Sequence, residues 1–200
     1  MMNPFGMDES CPNCPPLVEA RSRVVHGFGD VLAEFLFVKE APSAEADAGA
    51  PPLGHHRGYG LDTVLDRLGF LDGSADPPTL TSAFVTHLTR CRHPDRPATD
   101  TEINTCEPFL NAEIRSINPE ILVPIGQRAL EHIAKEYTTE QPDALDAFEV
   151  HAQEIRGRGF ELVPMVAESD LTEERFETFI EAMEQTLSRD YRQTKGRQGR

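Results

Sequence analysis

Four apolar runs constrain the fold of this 200-residue chain more than any other feature: Ala33 to Val38, Ala83 to Leu88, Ile121 to Ile125 and Phe160 to Val166. They are continuous rather than alternating, which is the pattern of strands buried on both faces. Helical spacing fills the stretches between them. Leu61 to Leu68 reads as a helix, Asp100 can cap one running to about Ser116, and Gly126 opens another. A terminal helix runs from Thr172 to Leu187, capped by Ser169 or Thr172. Leu17 to Val25 suits a short helix, and Ala41 to Gly60, rich in Ala, Pro and Gly, reads as a long loop. Strands alternating with helices predict an α/β fold: a three-layer α/β/α domain around a four-stranded parallel sheet. Pro124 and Pro164 lie inside strand runs and remove ladder donors, so they are read as strand ends at a site. The domain is expected over 1–188, with 189–200 a polar, disordered tail.

The length fits one domain, and a monomer is expected. The N-terminal residues lack the basic and apolar regions of a signal peptide, and no apolar run is long enough for a bilayer. The expectation is a soluble, cytoplasmic protein without a membrane partner. Acidic residues number 34 against 19 basic ones, a net charge of −15, and only Lys39, Lys135 and Lys195 are lysines. A dense carboxylate surface with scarce lysine is read as halophilic adaptation. Such a charge would ordinarily argue against nucleic acid, because phosphate contacts need Lys and Arg. In high salt the phosphate field is screened within a few ångström, so net charge neither supports nor excludes a DNA partner.

The only four cysteines form two groups. Cys11 and Cys14 make a C-x-x-C stiffened by Pro12, Pro15 and Pro16; Cys91 and Cys106 are separated by fourteen residues. In an intracellular protein this set points to a metal or cluster rather than disulfides. Zinc usually takes paired short spacings, whereas a cubane spans a wide second pair more naturally. Spacing alone leaves an iron–sulfur cluster, zinc and four unrelated buried thiols open.

An ordered series of motifs then resembles the iron–sulfur, family 4 type of uracil-DNA glycosylase. That family begins with C-x-x-C, an Arg-bearing helix and V-x-G-x-G, matched by Cys11 to Cys14, Leu17 to Arg21 and Val25 to Gly29. Its first strand ends in V-G-E-A-P-G, followed by G-x-P-F-V-G. Here these read Val38-Lys39-Glu40-Ala41-Pro42-Ser43 and Gly49-Ala50-Pro51-Pro52-Leu53-Gly54. Its T-N-x-x-K-C-R-P-P-x-x-R is Thr86 to Arg96, its E-I-x-x-C-x-P-x-L is Glu102 to Leu110, and its third strand matches Asn118 to Gly126. Each motif is weak alone; the ordered series containing all four cysteines is specific. The resemblance implies a 4Fe-4S cluster on Cys11, Cys14, Cys91 and Cys106, a DNA partner, and base-excision repair by hydrolysis of an N-glycosidic bond.

The departures fall where that family does its chemistry. Lys39 replaces the glycine before the motif acid, which survives as Glu40. Pro52 stands at the stacking phenylalanine, His87 at the asparagine that reads the uracil edge, and Ala167 at the histidine of the late H-P-S motif. Alanine offers no donor to the departing base, and losing one such donor typically costs about 3–4 kcal/mol.

The candidates follow from this. Glu40 could activate water, and His87 at a strand end could serve in a pocket or be a satisfied core histidine. Ala41, Pro42, Pro52 and Ala167 would line the base pocket, with His55 and His56 nearby or merely on a surface loop. Arg90, Arg92 and Arg96 could contact a DNA backbone or pair with surface carboxylates. Two function classes remain: a glycosylase acting on uracil or another altered base, and a noncatalytic DNA-binding or protein-interaction module that keeps fold and cluster.

Overall fold

A computed structural model describes residues 2–54 and 58–189. The helices are α1 (Pro15–Ala20), α2 (Ala44–Asp47), α3 (Leu61–Arg67), α4 (Asp100–Ile117), α5 (Gln127–Tyr137) and α6 (Glu173–Leu187). The strands are β1 (Phe28–Gly29), β2 (Phe35–Lys39), β3 (Leu71–Asp72), β4 (Thr79–Leu80), β5 (Ala83–His87), β6 (Ile121–Pro124), β7 (Ile155–Arg156) and β8 (Glu161–Leu162). The main sheet has the order β1-β5-β2-β6-β8-β7, and β3 with β4 forms a separate hairpin. The four expected strands are its parallel centre, β5-β2-β6-β8. Two short antiparallel strands extend it at the edges, pairing Phe28 with Val85 and Ile155 with Leu162. Two residues carry no periodicity, which is why these edges left no signal in the sequence.

The uninterrupted apolar runs are explained by cover on both faces. On one face Phe35, Phe37, Val85 and Val123 pack with Leu61 and Leu65 of α3 and Phe176 and Phe179 of α6. On the other, Leu36, Val38, Phe84 and Leu122 pack with Ile103, Leu110 and Ile114 of α4 and Ile133 of α5. All five residues of β2 and of β5 are buried. Truncating an aromatic ring such as Phe37 or Phe84 to alanine would cost about 3–5 kcal/mol.

Two expected boundaries shift, at the start of α4 and along the fourth strand, while the cap of α6 is one of the two residues expected. Helix α4 is capped by Thr99, not Asp100: its side chain accepts from the Glu102 N–H, and the Glu102 carboxylate accepts from the Thr99 N–H, closing a capping box. Thr172 is the cap of α6. The fourth strand run pairs only over Glu161 and Leu162, then touches β6 again at a single bridge, Met165 to Ile125. Pro164 lies in that gap; the N–H groups of Val163 and Met165 on either side of it bond to the Leu122 and Pro124 carbonyls at 3.0 and 2.9 Å, so its missing N–H breaks no rung. Pro124 is indeed a strand end, the last residue of β6. The long loop after β2 contains the single turn α2, capped by Ser43. No helix among the described residues is long and apolar enough to cross a membrane.

Candidate active site and cysteine cluster

Parallel register brings the carboxyl ends of β2, β5 and β6 to one edge, with Lys39 beside His87 and Val38 beside Pro124. Sites on α/β sheets form at this edge, where strand ends and helix starts leave a crevice. A cleft of about 370 Å³ opens here, its walls including Lys39, Glu40, Ala41, Gly126, Arg128, Phe148, Ala167 and Glu168. Gly126 starts α5 with φ of +81°, and a Cβ there would lie 3.4 Å from that of Ala167. Glycine therefore satisfies both the backbone and the close approach of the segment carrying Ala167.

Glu40 is held firmly in this cleft. Its Oε1 accepts the Ala98 N–H at 3.0 Å, and its carbonyl accepts the Thr89 N–H at 3.0 Å. Lys39 forms an ion pair with Glu168, both side chains being almost buried. Glu168 in turn accepts the Leu61 N–H at 2.9 Å, fixing the pair to the start of α3. Gly54 has φ of +79°, and a Cβ there would stand 2.6 Å from the Glu168 Oε1 and 3.0 Å from the Lys39 Nζ. The positive φ favours glycine here, and a Cβ would push on the ends of both charged side chains.

His87 occupies the expected strand end but fits neither the pocket reading nor that of a satisfied core histidine. It is fully buried, it is not among the residues lining the cleft, and neither ring nitrogen has a partner among the described residues. Burial, then the charges of Lys39 and Arg90, push its imidazole well below the usual value, so it is neutral. Pro42 and Pro52 are also buried and not among the lining residues, so Ala41 and Ala167 are the proposed pocket residues that reach the cleft. His55 and His56 lie outside the described residues.

Two cleft features carried no signal in the sequence. Phe148 stands 52% exposed on the cleft wall, with the Arg175 guanidinium 4.9 Å from its ring centre. His151 accepts the Val166 N–H on Nδ1 at 3.2 Å and donates from Nε2 to the Arg175 carbonyl at 2.9 Å. This neutral tautomer, favoured by a pKa that burial lowers, pins the chain next to Ala167.

The arginines separate into three situations. Arg90 is 1% exposed and belongs to the core, where its Nη2 donates to Glu113 at 2.7 Å and its Nη1 to the Thr86 hydroxyl. It is not available to a DNA backbone, which corrects the expectation for this residue. Arg96 makes two hydrogen bonds to Glu102, at 2.8 and 2.7 Å, holding that carboxyl at about 2. Arg92 is half-buried, with no carboxylate partner among the described residues.

The cysteines gather around the loop after β5. Cys14 is the N-cap of α1, Cys91 lies in the loop, and Cys106 is on α4. Cys11, Cys14 and Cys91 share a small apolar cluster with Leu17, Val24 and Phe109. Burial pushes the thiols of Cys14, Cys91 and Cys106 up, and each of these also feels at least two of the other cysteines. Arg21 donates from Nη1 to the Cys91 sulfur at 3.0 Å and from Nη2 to the Cys11 carbonyl at 2.8 Å. The Arg90 N–H points at the Cys106 sulfur at 3.5 Å. N–H donors aimed at sulfur suit thiolate ligands, and in this respect the set fits a cysteine-ligated centre. No group of three or more His, Cys, Asp or Glu among the described residues is arranged to hold a single metal ion.

Fold and site together define an α/β protein with a cleft at its sheet edge and a separate cysteine cluster anchoring the N-terminal segment. The uracil DNA glycosylase superfamily model matches residues 26–188, and the chain belongs to that superfamily. It is similar to proteins named type-4 uracil-DNA glycosylase. Over 126 residues it is 29% identical to one from Saccharolobus solfataricus, covering 62% of this chain and 55% of the relative. Over 123 residues it is 31% identical to one from Thermotoga maritima, covering 61% and 59%. The chain thus spans a little over half the length of the curated relatives it matches.

Proposed function

We propose that this protein is a DNA glycosylase that hydrolyses the N-glycosidic bond of uracil or another altered base, with Glu40 as the group that activates water. The observation that carries this reading is the placement of Glu40. One carboxylate oxygen is fixed by the Ala98 N–H, in a cleft whose other walls include Ala41 and Ala167. A carboxylate oriented through one oxygen is prepared to take a proton through the other. Arg92 is the candidate among the three arginines for a DNA phosphate. The test is an excision assay in high salt on oligonucleotides carrying uracil, beside a panel of deaminated and alkylated bases. Release of one of these bases, abolished by Glu40→Gln, is expected; no release from any substrate would overturn the reading. A noncatalytic, DNA-binding role is the second reading, favoured by the sealing of His87 beneath the cleft.

Cys11, Cys14, Cys91 and Cys106 are proposed to hold a 4Fe-4S cluster. Four thiols within electrostatic reach of one another, with N–H donors on two of them, support it. Zinc, with bonds of about 2.3 Å, would draw the sulfurs within about 4 Å of one another. A cubane accommodates a wider set and, when bound, would staple α1 to α4 and to the loop after β5. Anaerobically purified protein should be brown and contain about four irons per chain. Stoichiometric zinc without iron would remove this assignment.

A further inference from the structure

The cleft lacks a side-chain donor at Ala167, yet it is not without one. The Lys39 ammonium reaches Glu168, the residue next to Ala167, and Lys39 and Ala167 line the same cleft. Resting on the glycosylase reading, we propose that Lys39 supplies the donor that stabilises the departing base, in place of the side chain missing at Ala167.

The chemistry needs one group to take a proton from the water that attacks the sugar and another to meet negative charge on the base. As the bond from C1′ to the base nitrogen breaks, its electron pair leaves with the base as an anion delocalised onto a carbonyl oxygen. Water forms the new bond to C1′, and Glu40 takes its proton. The proton held by Glu40 then passes, through solvent, to the nitrogen of the departed base, giving free base and an abasic sugar and restoring the carboxylate. Lys39 remains an ammonium throughout, donating a hydrogen bond to the base oxygen as charge builds there.

Three features of the structure suit Lys39 to this task. An ammonium has three donors, so one can remain on Glu168 while another faces the base. Glu168 is anchored to the Leu61 N–H, so it aims the lysine. The pair is nearly buried, and a fixed cation is worth more to a developing anion there than in water. Glycine at 54 completes the arrangement, since a Cβ would press on both members of the pair. Lys39 and Glu40 are adjacent in sequence at the end of β2, so one strand end carries both the donor and the base.

The test is single-turnover excision together with equilibrium binding to the best substrate of the panel. Lys39→Met combined with Glu168→Gln removes the cation without leaving a lone buried carboxylate, and far-UV circular dichroism checks that it folds. The single-turnover rate is expected to fall about 10²–10³-fold, with Kd changed only a few-fold. Lys39→Arg should keep part of the rate. Adding Ala167→His to the double variant should restore rate, whereas adding it to the native protein should change little. A double variant that excises within a few-fold of the native rate would overturn the assignment of Lys39 and leave the glycosylase reading standing. So would a rate loss matched by an equal loss of binding. Failure of the native protein to release any base in the panel would overturn both.

Discussion

Glu113→Ala should be among the most damaging single substitutions in this chain, although the residue is not among those lining the cleft. Glu113 is 1% exposed, and its carboxylate ties three segments together. Oε1 accepts the Gly27 N–H at 3.0 Å; Oε2 accepts Arg90 Nη2 at 2.7 Å and the Thr86 hydroxyl. Alanine would leave the guanidinium of Arg90 inside the core with no anion, and the Gly27 N–H without its acceptor. Breaking a buried pair from one side costs about 3–5 kcal/mol. That is a large share of the roughly 5–15 kcal/mol that stabilises a domain. For a domain of this size it corresponds to a drop in Tm on the order of 10 °C. Replacing both charges, Arg90→Met with Glu113→Leu, removes the desolvated ions together and should cost distinctly less than Glu113→Ala alone. Urea denaturation followed by far-UV circular dichroism at one fixed salt concentration measures both. A loss under about 1 kcal/mol for Glu113→Ala, or a double variant no more stable than the single one, would refute the buried-pair argument.

Two further outcomes follow from the same core. His26, His87, His132 and His151 all have lowered pKa values with burial as the first cause, so the folded protein refuses protons that the unfolded chain accepts. Their stabilisation is present above pH about 6.5 and is lost as pH falls below it, with the fully sealed His87 the largest contributor. Urea midpoints that hold steady or rise towards pH 5 at constant salt would contradict this. Gly27→Ala should destabilise by about 1–3 kcal/mol through overpacking. Its Cβ would fall 2.2 Å from the Phe84 ring and 2.6 Å from the Glu113 Oε1, and an unchanged Tm would contradict that contact.

What could be read in the sequence was what local pattern encodes. The runs at Phe35–Lys39 and Ala83–His87 announce central strands because both faces are buried, and α4 shows its cap and periodicity in consecutive residues. Even there Asp100 and Thr99 are equally good caps by type, and only the reciprocal bond with Glu102 separates them. Pairings between distant segments left no such trace. Arg90 looks like a surface cation beside Cys91 until Glu113, on the following helix, is seen to neutralise it in the core. Lys39 looks like a lost glycine until Glu168, far along the chain, is found beside it. His151 gave no hint of its hold on Val166, because a histidine's role depends on which carbonyl and N–H its two nitrogens meet.

The charge pattern bears on how a DNA ligand would be held. The net charge of −15 repels a polyanion at long range, and the cations near the cleft already have anions. Lys39 pairs with Glu168, Arg128 with Asp100 at 2.9 Å, and Arg96 with Glu102 at 2.7 Å. A phosphate would have to displace a carboxylate from most of these cations, which returns little free energy because one charged hydrogen bond is exchanged for another. High salt shortens the reach of both repulsion and attraction to about 3 Å at 1 M, so neither steers the encounter there. Affinity must then come from contacts that salt does not screen. The exposed Phe148 ring on the cleft wall offers a stacking surface worth roughly 1–3 kcal/mol against a base. The nearly buried Lys39 offers a donor that bulk ions do not reach. Both act only on a base that has left its stack, so on such a surface recognition of the altered base and affinity for the strand become nearly the same event.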